Sequence, residues 1–300
     1  MLELFGMTRP LNGVMTIIGV FIGALVSAGP AGLEAATLLL AFAAVFLINS
    51  AGNVFNDCMD IEADRVNRPE RPIPSGKVPK RTALAFSGAL FVLGNLCALM
   101  INGLCLTIAL VNSLLLVAYS ISLQHKILLG NVTIAYLVGS IFLFGGAVFL
   151  DFLKIWTVVM LSGLAMLANI AREIVKDLED IEGDKKGFLK KLASKTTTRI
   201  AERFGIATGG VKLKYKERMM IIIAIACIAL AVVFSALPYY YGIMKLSYLV
   251  IVVLADALFI SAAISLGREQ KRKKGYSRIS RRLKIAMLIA LIAFIVGAII

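Results

Sequence analysis

Nine apolar stretches, each about long enough to cross a bilayer, leave this chain few alternatives to a bundle of helices in lipid. They run over 11–28, 35–56, 82–100, 103–122, 132–150, 154–174, 219–237, 244–266 and 283–300. Within hydrocarbon every backbone amide must find its partner inside the protein, so a spanning segment is a helix or part of a closed barrel, and stretches of this length select the helix. The expected fold class is all-α: a polytopic membrane protein whose nine transmembrane helices are arranged around a central cavity. Because the apolar stretches recur along the whole chain, a cleaved leader does not account for them. Composition agrees, since 59% of the 300 residues are hydrophobic and only 17% are charged, well outside the range of water-soluble domains.

The charges between the stretches set orientation. Basic residues cluster at 65–81 (Arg65, Arg68, Arg71, Lys77, Lys80, Arg81), at 185–218 and at 268–284. Of the 32 Lys and Arg, all but Lys154 and Lys245 fall on the side shared by the N-terminus and these clusters. The positive-inside rule makes that side cytoplasmic, which predicts a cell-membrane protein with its N-terminus inside and its C-terminus outside. Residues 1–300 are read as a single domain with cytoplasmic loops at about 65–81, 185–218 and 268–282. The net charge of +14, confined to one face, points to membrane lipid and anionic substrates rather than nucleic acid. The joint at 185–218 reads equally as a lid over a site and as a solvated linker.

Cysteine and histidine remove further classes. Cys58, Cys97, Cys105 and Cys227 have no CxxC spacing, and His125 is the lone histidine. Neither a zinc cluster nor a hydrolase triad, unless built on His125, can be assembled from them.

An internal repeat carries the functional argument. Asn49, Asp57, Asp60 and Asp64 reappear as Asn169, Asp177, Asp180 and Asp184, each 120 residues later. The second and sixth stretches therefore end in the same polar pattern. With a further half-repeat beyond, this predicts two equivalent helix ends facing one another across a cavity. Asn53, Asp57, Asp60 and Asp64 fall at helical spacing, as do Asn56, Asp60 and Asp64, and as do Glu173, Asp177, Asp180 and Asp184 in the second copy. Carboxylates at a membrane boundary need a compensating cation. Oxygen donors without Cys or His select Mg²⁺, which binds through one or two carboxylates and completes its shell with phosphate oxygens. Arg65, Arg68, Arg71, Lys77, Arg172 and Lys176 stand beside these acids, a mixture that suits a diphosphate better than a cation pathway. A cation-coupled transporter would also show repeats and intramembrane acids, but nearer mid-membrane. Asp256, well inside the eighth stretch, is more simply a helix-pairing residue and is left out of the site.

Two motifs carry a resemblance to a known family. Asn56-Asp57-x-x-Asp60-x-x-x-Asp64, followed by Arg68-Pro69-Glu70-Arg71-Pro72-Ile73-Pro74-Ser75-Gly76, resembles the first signature of the UbiA prenyltransferase superfamily. Asp180-x-x-x-Asp184, with Lys176 and Asp177 ahead of it, is similar to the second. Arg9-Pro10 with Asn12, and Tyr119-Ser120 followed by Lys126 and Gly130-Asn131, echo the family elsewhere, so the resemblance covers essentially the whole chain. It implies a Mg²⁺-dependent transfer of a prenyl group from its diphosphate to a lipophilic acceptor. It also implies that Asn56, Asp57, Asp60, Asp64, Asp177, Asp180 and Asp184 hold magnesium, directly or through water, with Asp60, Asp64, Asp180 and Asp184 central to catalysis. Arg68, Arg71, Lys77 and Lys176 are the expected diphosphate ligands, and Asn12, Tyr119 and Lys126 further substrate contacts. The form of the second motif, Arg172-Glu173-Ile174-Val175-Lys176-Asp177, is similar to the archaeal ether-lipid branch, which joins geranylgeranyl diphosphate to geranylgeranylglyceryl phosphate. Branches acting on quinone precursors, haem and chlorophyll share the core motifs, and spacing alone leaves an aromatic acceptor open.

Overall fold

A computed structural model describes residues 2–149, 155–183, 209–268 and 273–299, and all regular structure in them is helical. In chain order the helices are α1 (Leu2–Met7), α2 (Pro10–Ala28), α3 (Ala35–Met59), α4 (Ile61–Asn67), α5 (Lys80–Ile101), α6 (Gly103–Ile121), α7 (Ile127–Val148), α8 (Ile155–Gly183), α9 (Gly209–Ser235), α10 (Leu237–Tyr240), α11 (Leu246–Arg268) and α12 (Lys273–Ile299). Among the described residues nine helices are long and apolar enough to cross a membrane, and they coincide with the nine expected stretches. The chain forms two compact units, one of Met1–Met166 with Gly242–Lys245 and Phe294–Ile300, the other of Leu167–Tyr241 with Leu246–Ala293.

In the first unit α3 packs along α5 and α2 along α7. Small residues make both pairings close. A methyl group at Gly145 of α7 would lie 2.2 Å from the Val20 carbonyl oxygen of α2, and one at Gly23 of α2 would lie 2.3 Å from the Phe142 carbonyl oxygen of α7. Ala41, Ala44 and Ala98 join Val20, Ile48 and Phe144 in the core. With lipid outside as apolar as the core, such close approach and its dispersion contacts replace the hydrophobic effect as the force between helices. Polar side chains tie backbones together. Ser27 Oγ donates to the Gly146 carbonyl at 3.1 Å and Ser87 Oγ to that of Ala51 at 2.9 Å. Asn102 caps α6 by accepting the Cys105 N–H at 2.8 Å, while its own amide donates to the Ala147 carbonyl at 2.8 Å.

A smaller core lies at the far end of α3, where Val54 and Cys58 meet Met7, Ile73, Val78 and Ala83. Burial of Ile73 and Val78 pins the segment between α4 and α5. Helix α4 stops at Arg68 because Pro69 follows. The chain then turns twice, with Ser75 N–H on the Arg71 carbonyl at 3.0 Å and Val78 N–H on that of Pro72 at 3.0 Å. Gly76 makes the second turn possible at φ 78, a conformation that favours glycine.

In the second unit α9 packs on α11. Ser235 Oγ donates to Asp256 at 2.7 Å, and the buried Tyr248 hydroxyl donates to the Ser235 carbonyl at 2.7 Å. Asp256 thus pairs two helices, as its position suggested. Arg282 of α12 reaches Ser265 at 2.8 Å and Ser261 at 3.3 Å on α11.

Helix ends depart from the expected spans. Helix α8 continues to Gly183 and α12 begins at Lys273, so residues 273–282 are helical rather than loop. Of the joint expected at 185–218, residues 209–218 are helical and 185–208 lie outside the described residues. Apolar content marks where a helix meets lipid; good helix formers such as Arg, Lys, Glu and Leu carry it further.

Candidate active site

The first acidic motif occupies the end of α3, the one-residue break at Asp60, and α4. Asp60 sits at φ −90, ψ 12 between the two helices. The i→i−4 pattern nevertheless runs through it, with Asp60 N–H on the Asn56 carbonyl at 3.0 Å and Asp64 N–H on that of Asp60 at 2.8 Å. Register is kept, and Asp57 and Asp64, two turns apart, share one face.

That face is closed by two arginines. Arg71 Nη1 lies 2.6 Å from Asp64 Oδ2 and 3.2 Å from Asp57 Oδ1. Arg9 Nη2 lies 2.6 Å from the same Asp57 oxygen, and its Nη1 donates to Asn53 Oδ1 at 3.4 Å. Asn53 in turn donates to the Thr8 carbonyl at 3.2 Å. Arg9 has φ 51, the only positive φ at a non-glycine among the described residues, and the α1–α2 joint is tied to α3 at this point. Asp57 and Asp64 are buried, at 6% and 7% exposure, as far as two acids can be when guanidinium groups neutralise them.

Asp60 lives in different surroundings. The Asn56 side-chain amide donates to its Oδ2, and Gln124 Nε2 donates to its Oδ1 at 2.8 Å while also bonding the Ser120 carbonyl at 3.1 Å. Both donors are neutral amides, so they orient the carboxylate without supplying a countercharge. The expected common face therefore resolves into two arrangements: Asp57 and Asp64 on Arg71, and Asp60 on Asn56 and Gln124.

The donor set fits magnesium. Oxygen atoms dominate it, and among the described residues no guanidinium meets Asp60 and no three Asp, Glu, His or Cys side chains group as a ready-made metal cage. Magnesium typically needs no such cage, taking about one or two carboxylates and phosphate oxygens.

The second motif lies on α8. Arg172 pairs with the buried Glu173 and donates from Nε to Asn169 Oδ1 at 3.2 Å. Lys176 Nζ stands 3.8 Å from Glu173 and is mostly exposed. Asp177 is half-buried and Asp180 exposed, both inside an unbroken helix, unlike Asp60 at its break. Asp184 lies outside the described residues.

Lys77 pairs with Glu3 at 3.3 Å on the surface. Arg68 is exposed at the end of α4, Asn12 is exposed on the first turn of α2, and Lys126 is exposed ahead of α7; Tyr119 is half-buried near the end of α6. Sequence reasoning did not place Arg9, Asn53 or Gln124 in the site. For Arg9 and Gln124 a signal existed, since both stand within the flanking echoes of the family pattern.

Long apolar helices with an arginine-bridged acidic motif at the end of one of them define a membrane-embedded, anion-handling enzyme class. The comparisons make this specific: residues 16–292 match the UbiA prenyltransferase family, and the chain belongs to that family. It is 44% identical over 258 residues to the digeranylgeranylglyceryl phosphate synthase of Methanosarcina mazei, covering 86% of this chain and 81% of that protein. A solved structure from work on digeranylgeranylglyceryl phosphate synthase in membranes matches with a TM-score of 0.84 at 38% identity, over 99% of this chain and 98% of that one. The fold extends, at 13% identity and a TM-score of 0.61, to a UbiA homologue from Archaeoglobus fulgidus bound to GPP and Mg²⁺, covering 97% of this chain and 99% of that one.

Proposed function

We propose that this chain is a Mg²⁺-dependent prenyltransferase that moves a geranylgeranyl group from its diphosphate to geranylgeranylglyceryl phosphate. The product named for its relatives carries two geranylgeranyl groups on one glyceryl phosphate, which requires a second transfer of this kind. The observation that carries the reading is the arrangement at the end of α3: a carboxylate, Asp60, that meets no guanidinium among the described residues, close in sequence to a guanidinium, Arg71, that reaches two others.

In the first motif Asp60 and Asp64 are the residues that would hold magnesium, and Asn56 would keep the Asp60 carboxylate turned toward it; Asp177, Asp180 and Asp184 are the corresponding candidates of the second motif. Bound magnesium would neutralise diphosphate oxygens and so favour departure of pyrophosphate. Arg71 and Arg68 would share that task through charge-assisted hydrogen bonds to the phosphates, and Lys176 from the second motif. As the allylic C–O bond breaks, its electron pair leaves with pyrophosphate; the acceptor hydroxyl oxygen then forms the new ether bond and releases its proton. Surrounding apolar helices keep water from the allylic cation, which would otherwise hydrolyse. The basic side of the membrane, read as cytoplasmic, is where the site is expected to open.

The test is to give the purified protein labelled geranylgeranyl diphosphate with geranylgeranylglyceryl phosphate, with an aromatic acid, or with no acceptor. Ether product and pyrophosphate in equal amounts with the glyceryl phosphate acceptor are expected. Product with the aromatic acid alone would move the chain to the quinone-precursor branch, and ion-driven solute uptake without product would favour a transporter.

A further inference from the structure

Asp57 belongs to the same sequence motif as Asp60 but stands in an opposite electrostatic setting. Its carboxyl group is buried and its Oδ1 receives two cations, Arg9 at 2.6 Å and Arg71 at 3.2 Å. A divalent ion on this carboxylate would be repelled by two guanidinium charges a few ångströms away, in surroundings that screen poorly. Among the described residues Asp60 is held by the amides of Asn56 and Gln124 and meets no guanidinium, so no such barrier stands there.

We propose that Asp57 is a positioning residue and not a magnesium ligand: pinned by Arg9, it forms a fixed anion that keeps Arg71 at the site for diphosphate. The proposal rests on the diphosphate-transfer reading above. Arg71 has two carboxylate partners, and the nearer one, Asp64, is itself a metal candidate. Were Asp64 to hold magnesium, Arg71 would give up its 2.6 Å contact there and would still have Asp57. Without that second anchor a freed arginine would swing into solvent.

Two further features fit this task. Arg9 keeps a left-handed backbone that a non-glycine residue adopts only under constraint, and the constraint is visible in its bonds to Asp57 and Asn53 and in the bond from Asn53 to the Thr8 carbonyl. The Arg71 backbone is fixed as well, between the turn at Ser75 and the buried Ile73 and Val78. Asp57 therefore meets a guanidinium whose base is held, and only its head has freedom to exchange partners.

The experiment measures Mn²⁺ binding by paramagnetic resonance, and pyrophosphate binding in the presence of Mn²⁺, on the full chain in detergent. Asp57→Asn is expected to keep Mn²⁺ affinity within about twofold of wild type while weakening pyrophosphate roughly tenfold, the size of loss typical when a supporting contact is removed. The KM for the prenyl diphosphate should rise in parallel, more than kcat falls. Asp60→Asn should instead lose Mn²⁺ by about tenfold or more, as removal of a direct ligand does. A comparable Mn²⁺ loss in Asp57→Asn would overturn the proposal. Arg9→Gln supplies an independent arm should Asp57→Asn fail to fold: Mn²⁺ affinity is expected to stay unchanged, whereas a clear tightening would mean that Arg9 had been competing for a metal ligand, and would overturn it. Wild type that bound neither Mn²⁺ nor pyrophosphate would defeat the transferase reading itself.

Discussion

Arg71 reaches two buried carboxylates with a single nitrogen, and the chemistry of the motif turns on how acids and bases share charge at that point. Asp60→Asn or Asp64→Asn is expected to lower turnover by roughly two orders of magnitude or more, since each removes charge that matters most as pyrophosphate departs. Pyrophosphate release and prenylated product, followed across magnesium concentrations, check this; near-wild-type product from both variants at saturating magnesium would contradict it. Arg71→Ala is expected to raise KM for the prenyl diphosphate as well as lower kcat, because it also removes a contact made in the ground state. The acids themselves were legible from spacing alone. Their partners were only partly so: Arg9 meets Asp57 from 48 residues away and Gln124 meets Asp60 from 64 away. No periodicity links such positions, so the spacing of the acids could not name these partners.

At the scale of elements, small residues decide which helices touch. Gly145→Ala would push a methyl group to within 2.2 Å of the Val20 carbonyl oxygen and force α2 and α7 apart, at a cost of about 1–3 kcal/mol or more. Gly88→Ala on α5 would meet nothing within 4 Å. Thermal unfolding in detergent should therefore fall clearly for the first variant and stay near wild type for the second; equal behaviour would contradict the close pairing. Ser235→Ala should cost about 0.6–1.7 kcal/mol, the range for polar contacts between membrane helices, and leave product formation intact, because the Asp256–Ser235 bond joins α9 to α11 and holds no site residue. The repeat shows how far sequence likeness carries. Both copies keep helical register, yet the first breaks at Asp60 while the second passes through Asp177 and Asp180 without interruption. After the first copy a proline-rich segment folds back, so that its Arg71 returns to the acids; the segment after the second copy lies outside the described residues.

For the whole molecule, the distribution of Lys and Arg predicts orientation. Reporters fused at the joint after α2 and beside Lys154 are expected outside, and a reporter at the N-terminus inside; the reverse pattern would place the site on the other face. All four cysteines are free, so reducing agents should leave both fold and activity unchanged, whereas chelation of divalent metal should abolish turnover. Span number and helical class followed from the sequence by itself, because a bilayer imposes one length and one backbone solution on any apolar stretch. The acidic motifs followed too, since charged residues at a membrane boundary are costly and a repeated set demands a common cause. What tertiary structure alone decided was which partners each acid of the first motif meets. Asp57 lies in the last turn of α3 and Asp60 at the break just after it, but guanidinium groups brought in from the α1–α2 joint and from the loop before α5 pair with the first, and an amide from the α6–α7 joint bonds the second. A carboxylate's role depends on the charges that surround it in space, and those come from parts of the chain that spacing does not connect.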